Sequence, residues 1–400
     1  MEVLWTCRLA GESINAPQED YGPPVRRRLS KLCWLLVLAA LVGGCTQAPT
    51  LTPSPSRSRT VDYAAMETAI EDKISSGSLS LSTINAILVS VGGETKVAHY
   101  RNGSKPEDAL HVWSVTKSVV SALIGIAIDE KIISGLDATL PELLARYQKY
   151  LTAEEKSIKL RQLMSMTAGF PPDDPAPFEN IHSVFERRTD PIPMILKEGV
   201  DLPPGPVFVY SSRSAHLVSA VLREALVRAD PDHPRTVLEY ARVKLFDPLE
   251  IDSSGAREER VLLSDPAYDR LTRFDWGTDA AGLHTACCLL RLRPSDMIKF
   301  GELYLGGGSW HGKRILPAGW VEKTMTPGQV SPQYGLMWWL DIDLHGHPTW
   351  VARGSNGQLI AVVPEHQLVV AIGSVPTNDM GLEGNDMWLW VNDVIVTALE

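Results

Sequence analysis

Strand-like apolar runs stand at both ends of this chain and helix-like runs fill its middle, which limits the folds open to it. Residues 86–91 and 96–100 flank Gly92-Gly93 and read as a β-hairpin. Residues 334–340, 358–363 and 368–372 are strand-like near the other end, and 386–399 read as a closing helix. A helical pattern covers 61–76, with Thr60 as a cap and Gly77 as a stop, and another covers 295–304. Residues from about 136 to 287 are mainly helical and loop-rich, with a proline-dense stretch at 171–206. The expectation is an α/β domain over 61–400, with one sheet assembled from both chain ends and a helical insertion beside it.

The region before residue 61 reads as an address. Arg26-Arg27-Arg28 and Lys31 precede an apolar run at 32–42, which Gly43-Gly44-Cys45 closes. A basic segment, a short apolar run and small residues describe a secretory signal, here 25–44. A cysteine directly after Val42-Gly43-Gly44 resembles the bacterial lipobox, in which the chain is cut before the cysteine and its thiol is lipidated. Residues 45–60, rich in Pro, Ser and Thr, suit a tether. Residues 1–24 do not fit this order, because a signal normally opens the chain. Val25 stands where an alternative initiator would, so 1–24 are expected to be untranslated or a disordered extension.

Net charge is -10, which argues against nucleic acid or an anionic membrane surface as the main partner. The other cysteines are Cys7 and Cys33 in the leader region and the adjacent Cys287 and Cys288. Adjacency disfavours pairing of the last two, so they are expected as buried free thiols.

Ser114-Val115-Thr116-Lys117 is the one Ser-x-x-Lys in the sequence, and an apolar helical run follows it at 118–127. If Ser114 opens that helix, Lys117 lies one turn on, on the same face. A serine hydroxyl is a poor nucleophile until a base takes its proton. A lysine amine is such a base only when neutral, a form that burial and the positive end of a helix favour. Tyr210-Ser211-Ser212 follows Gly205-Pro206-Val207-Phe208-Val209, and a tyrosine there can relay a proton between nucleophile and leaving group. Gly354-Ser355-Asn356-Gly357-Gln358 precedes a strand-like run. Its glycines allow close approach of a ligand, and a backbone N–H there can join that of Ser114 in an oxyanion hole.

Competing motifs are weaker. Residues 307–313 match Gly-x4-Gly-Lys, but Arg314 follows where a phosphate loop needs Ser or Thr, so a turn is expected. His345-Gly346-His347 offers two metal ligands with no third at a recognisable spacing, so a hairpin turn and no metal are expected. Trp338 and Trp339 alternate faces on a strand, so one of them can line a pocket.

Taken in order, these elements resemble the serine β-lactamase and penicillin-binding superfamily, and within it the branch of class C β-lactamase-like esterases and 6-aminohexanoate-dimer hydrolases. The resemblance spans roughly 65–391. It includes His111-Val112-Trp113-Ser114-Val115-Thr116-Lys117-Ser118, residues 160–170, residues 290–297 and Tyr334-Gly335-Leu336-Met337-Trp338-Trp339. It implies a β-lactamase-like fold, with an antiparallel sheet flanked by helices and the site between an α/β part and a helical part. It also implies Ser114 as nucleophile, Lys117 as its base partner and Tyr210 as general acid/base. Two positions depart from the family pattern. Ser212 stands where the β-lactamases usually have asparagine, and Ala352 where lysine or histidine usually precedes the glycine of the last motif by two residues. That cation helps hold the carboxylate of a β-lactam or peptide, whereas Ser212 suits the esterase and amide-hydrolase branch.

The expectation is an exported, lipid-anchored serine hydrolase that cleaves an ester or small amide through an acyl-enzyme on Ser114. Lys117 and Tyr210 move protons, Ser355 and Gly354 contribute to the oxyanion and substrate site with Ser212, and no cofactor or metal is required. The alternatives are a non-catalytic lipoprotein that binds cell-wall peptides, or a weak β-lactamase or carboxypeptidase. The expected location is the bacterial cell envelope, on the outer membrane in a Gram-negative cell, facing the periplasm or exterior. Cys45→Ala is then expected to release the protein from membranes of a bacterial host, because one cysteine carries the lipid. Retention of the variant on membranes through a carbonate wash contradicts lipidation.

Overall fold

The computed structural model describes residues 61–76, 81–172, 190–256, 271–342, 346–375, 387 and 392–400. The segments expected as signal and tether, with Cys45, lie outside the described residues, as does part of the proline-dense stretch. Helix α1 (Tyr63–Ser76) is capped by Asp62, whose side chain accepts from the Ala65 N–H at 3.0 Å; Thr60, the expected cap, lies outside the described residues. β1 (Ile84–Val91) turns back into β2 (Glu94–Tyr100) through Gly92 and Gly93, whose φ values of 61° and 79° suit a tight hairpin. The other helices that matter here are α2 (Val115–Asp129), α3 (Ser212–Ala229) and α4 (Pro294–Leu305).

β3 (Leu110–His111), β4 (Asp275–Trp276) and β5 (Leu290–Leu292) form a small sheet in the order β3-β5-β4. β6 (Ser309–Trp310) and β7 (Lys313–Arg314) make a hairpin of the Gly-x4-Gly-Lys segment, in keeping with a turn. The main sheet is completed by β8 (Trp339–Ile342), β9 (Pro348–Arg353), β10 (Leu359–Val363) and β11 (Leu368–Ser374). Its order is β2-β1-β11-β10-β9-β8, and every neighbouring pair is antiparallel. The two chain ends meet where β1 pairs with β11. The strand-like run at 334–340 is strand only from Trp339; Tyr334 makes a single bridge to Trp339, and Met337 between them has φ 63°.

The central strands β1, β10 and β11 are buried on both faces, which is why they read as nearly continuous apolar runs. Alternate residues feed two cores. Ala86, Leu88, Ile360, Val362, Val369 and Ala371 join the core that contains α2, α3 and α4. Ile87, Val89, Leu359, Ala361, Val370 and Ile372 join the core with α1 and the C-terminal residues Ile395 and Val396. Helix α2 is buried all round from Val115 to Ala127, so its sequence has no polar stripe. Helix α4 comes close to the sheet at Gly301, where an added Cβ would stand 2.4 Å from Val369 Cγ1.

The segment between β4 and β5 is fastened to α3 by buried polar contacts. The fully buried His216 and Asp279 side chains meet at 2.9 Å, and Asp279 also accepts from the N–H groups of Ala281 and Leu283. Ser219 donates to the His284 carbonyl at 2.6 Å. Burial alone would raise the Asp279 pKa, but His216 and the two N–H groups hold it below the ordinary value.

His284 is the acid-sensitive point of this segment. Burial pushes its pKa from 6.5 down to about 4, against the charges of Asp279 and Glu239. Between those pH values the unfolded chain binds more protons than the folded one, so stability rises with pH. At 1.36 kcal/mol per pK unit, a shift from 6.5 to about 4 contributes ~3 kcal/mol, complete above pH 6.5 and fading as pH falls toward 4. Asp279's contribution is lost only at lower pH. The stability lost between pH 6.5 and 4 in urea titrations is expected to be smaller in His284→Phe than in the unmodified protein. Equal losses contradict burial of a neutral imidazole.

Candidate active site

Val112, Trp113 and Ser114 lead from β3 into α2. The Val112 N–H donates to the Leu290 carbonyl at 2.9 Å, which ties this approach to β5. Trp113 takes φ 47°, a left-handed conformation that a bulky residue adopts only at some cost, roughly 1–3 kcal/mol. Its carbonyl accepts from the Thr116 hydroxyl at 2.6 Å and from the Thr116 N–H at 3.0 Å, which holds the turn. The His111 ring packs tilted against the Trp113 ring, with centroids 4.2 Å apart, and accepts from the Leu289 N–H at 3.1 Å. Ser114 then stands at the N-cap of α2, and its hydroxyl makes no cap bond. The hydroxyl is therefore left for Lys117.

Lys117 is 1% exposed, and its amine donates to three oxygens from three parts of the chain. Ser114 Oγ lies at 2.8 Å, the Cys287 carbonyl at 3.1 Å and Ser212 Oγ at 3.4 Å. Among the described residues no carboxylate pairs with it. All three oxygens can accept from the amine when it carries its proton, and without that proton its lone pair faces an oxygen that can return one. An amine so placed can pass a proton to or from either serine oxygen. Ser212 opens α3, the helix that also fastens the segment carrying Cys287, so one helix positions two of the three acceptors.

Tyr210 stands over this amine, with its ring centroid 4.8 Å from Lys117 Nζ. The adjoining Val209 N–H donates to the Met166 carbonyl at 2.8 Å, and Met166 has φ 57°. The Tyr210 ring stacks on Trp339 at 5.4 Å and meets Tyr334 edge-on at 6.1 Å. Trp339 is thus the tryptophan that faces the site, while Trp338 is fully buried against Phe300 and Tyr304. Arg353 lies over the far part of the stack, 5.4 Å from the Trp339 ring, and is ion-paired with Asp341. Burial lowers the Arg353 pKa and Asp341 opposes that shift, so its charge is already matched within the protein.

The last segment of the site follows β9. An added Cβ at Gly354 would stand 2.8 Å from the Val112 carbonyl, so only glycine lets β9 run this close to the approach to Ser114. The Gly354 N–H donates to the Gln358 carbonyl at 2.8 Å and is not free for a ligand. The Gln358 side chain accepts from the Asn356 N–H at 3.1 Å and donates to the Ser374 carbonyl at 3.1 Å, which fixes the turn. Ser355 is exposed at its apex. Ala352 is buried in the core and brings no charge to the site.

The structure therefore brings Ser114, Lys117, Tyr210 and Ser212 together, and sets Gly354 beside the chain that leads to Ser114. The Cys287 carbonyl, the Gln358 brace and the pairing of Arg353 with Asp341 carry no motif in the sequence. Cys287 and Cys288 are both buried, as expected, and their sulfurs lie against each other.

Comparison with known proteins agrees with this architecture. Solved structures with a similar fold include a D-stereospecific amidohydrolase from a Streptomyces species, 20% identical over 78% of this chain and 94% of that one, with a TM-score of 0.57. A penicillin-binding protein homolog from Caulobacter crescentus is 14% identical over 84% of this chain and 97% of that one, with a TM-score of 0.62. A family VIII carboxylesterase is 14% identical over 82% of this chain and 97% of that one, with a TM-score of 0.59. At such identities the likeness is one of fold. No curated protein matches the sequence. The family model named Beta-lactamase matches residues 85–381, from the second residue of β1 past the Gly354 turn, and the chain belongs to that family.

Proposed function

We propose that this serine hydrolase of the beta-lactamase family cleaves a neutral ester or small amide through an acyl-enzyme on Ser114. The observation that carries the reading is the buried Lys117 amine, 2.8 Å from Ser114 Oγ and within reach of Ser212 and the Tyr210 ring. Ser114 Oγ adds to the substrate carbonyl carbon as its proton passes to the Lys117 and Tyr210 pair. The carbonyl oxygen takes up the electron pair and is stabilised by the N–H groups of Ser114 and Ser355. Collapse re-forms the carbonyl and expels the alcohol or amine, which leaves with the transferred proton. A water molecule then gives a proton to the same pair and attacks the acyl carbon. The acid departs and Ser114 is restored.

The surroundings favour an uncharged substrate. Ala352 supplies no cation, and Arg353 is engaged by Asp341. A β-lactam carboxylate therefore forgoes a charge-assisted hydrogen bond worth about 1.5–3 kcal/mol, or about ten- to a hundredfold in rate constant. A neutral ester forgoes nothing. The names of two similar folds, an amidohydrolase and a carboxylesterase, support the same substrate range. The test is kcat/KM for a short-chain aryl ester and for a chromogenic cephalosporin on one preparation. The ester is expected to be turned over at least tenfold faster. Equal turnover shows that another group holds the carboxylate, and no turnover of any ester overturns the hydrolytic reading.

A further inference from the structure

The ends of the main sheet strands opposite the Gly354 turn hold a second cluster of chemically capable side chains. β9 begins at Pro348, directly after His347. β10 ends in the turn Pro364–His366. Val362 pairs with Trp350, so the chain before β9 and the chain after β10 leave the sheet at the same end. Glu400, next to the C-terminal turn Thr397–Leu399, reaches the same place. The ligand-capable atoms of His347, His366 and Glu400 all lie within 4.8 Å of one another. Three segments separated in sequence thus deliver two imidazoles and one carboxylate to one point, which gives His347 two partners that spacing in the sequence could not reveal; His345 lies outside the described residues.

We propose that His347, His366 and Glu400 form a binding site for one divalent ion of the zinc class. Zinc bonds to nitrogen and oxygen of about 2.0–2.1 Å place tetrahedral ligands about 3.3 Å apart. His366 Nε2 and Glu400 Oε1 stand at 3.2 Å already. The His347 and His366 rings meet edge to face, with centroids 4.8 Å apart, and ion binding requires the half-buried His347 ring to turn toward the other two ligands. Two imidazoles with one carboxylate select borderline ions such as Zn²⁺ over Mg²⁺ or Ca²⁺, which prefer all-oxygen sites. The fourth position is left for water. An ordinary His366–Glu400 ion pair on a half-exposed surface contributes little and needs no second imidazole. The cluster lies at the far end of β9 from Gly354, roughly 20 Å away at about 3.3 Å per residue, so the ion fastens the segment of Glu400 to the sheet and takes no part at Ser114.

The test uses tag-free full-length protein freed of metal with a chelator. Equilibrium dialysis is expected to show one Zn²⁺ per chain, weakened at least tenfold in His347→Ala, in His366→Ala and in the isosteric Glu400→Gln. Added Zn²⁺ is expected to raise the melting temperature of the unmodified protein and not of His347→Ala, because an ion that binds only the folded state stabilises it. Excess Mg²⁺ or Ca²⁺ is expected not to displace it. Ester turnover is expected to be the same with and without Zn²⁺. Absence of stoichiometric binding, undiminished binding in the three variants, or displacement by Mg²⁺ overturns the proposal.

Discussion

The Lys117 amine sits where the sheet-side approach, helix α3 and the segment before β5 converge, and the site depends on keeping its three acceptors in place. A buried amine without hydrogen-bonding partners would cost several kcal/mol. Ser114, Ser212 and the Cys287 carbonyl meet that demand from three separate elements. Each is fixed in turn by another contact. Trp113 holds the turn that presents Ser114, α3 opens at Ser212, and the Ser219 and His216 contacts secure the segment that carries Cys287. Ser114 and Lys117 are therefore positioned by the same packing that closes the helical core.

The opposite wall is aromatic. Tyr210, Trp339 and Tyr334 pack on one another, with Lys117 against one part of the stack and Arg353 against another. Such contacts are worth about 0.5–1.5 kcal/mol each beyond area burial, enough to fix ring orientation. They set Tyr210 by Lys117 while Asp341 keeps Arg353 engaged. The same stack thus bears on both parts of the proposed function, proton transfer at Ser114 and a preference for an uncharged substrate.

How much of this could be read from the sequence follows from how local each interaction is. The β1–β2 hairpin rests on two adjacent glycines, and the Ser114–Lys117 pair on a spacing of one helical turn, so both were legible. The strand pattern at both chain ends also announced a sheet built from them. The Cys287 carbonyl was not legible, because every residue has a carbonyl and only the fold decides which one meets an amine. The choice between Trp338 and Trp339 depends on where strand β8 begins, and the run at 334–340 concealed that boundary. Contact of the Cys287 and Cys288 sulfurs ran against a rule of thumb about adjacency, and the gathering of His347 with His366 and Glu400 required the β9–β10 register.

The central claim is that Ser114 is the nucleophile and that Lys117 makes it one. It is tested most directly by treating the protein with a fluorophosphonate and locating the adduct by mass spectrometry of its peptides. The account predicts one adduct per chain, on Ser114, absent in Ser114→Ala and formed far more slowly in Lys117→Ala. An adduct on another residue, or equal labelling of Ser114→Ala, would contradict it.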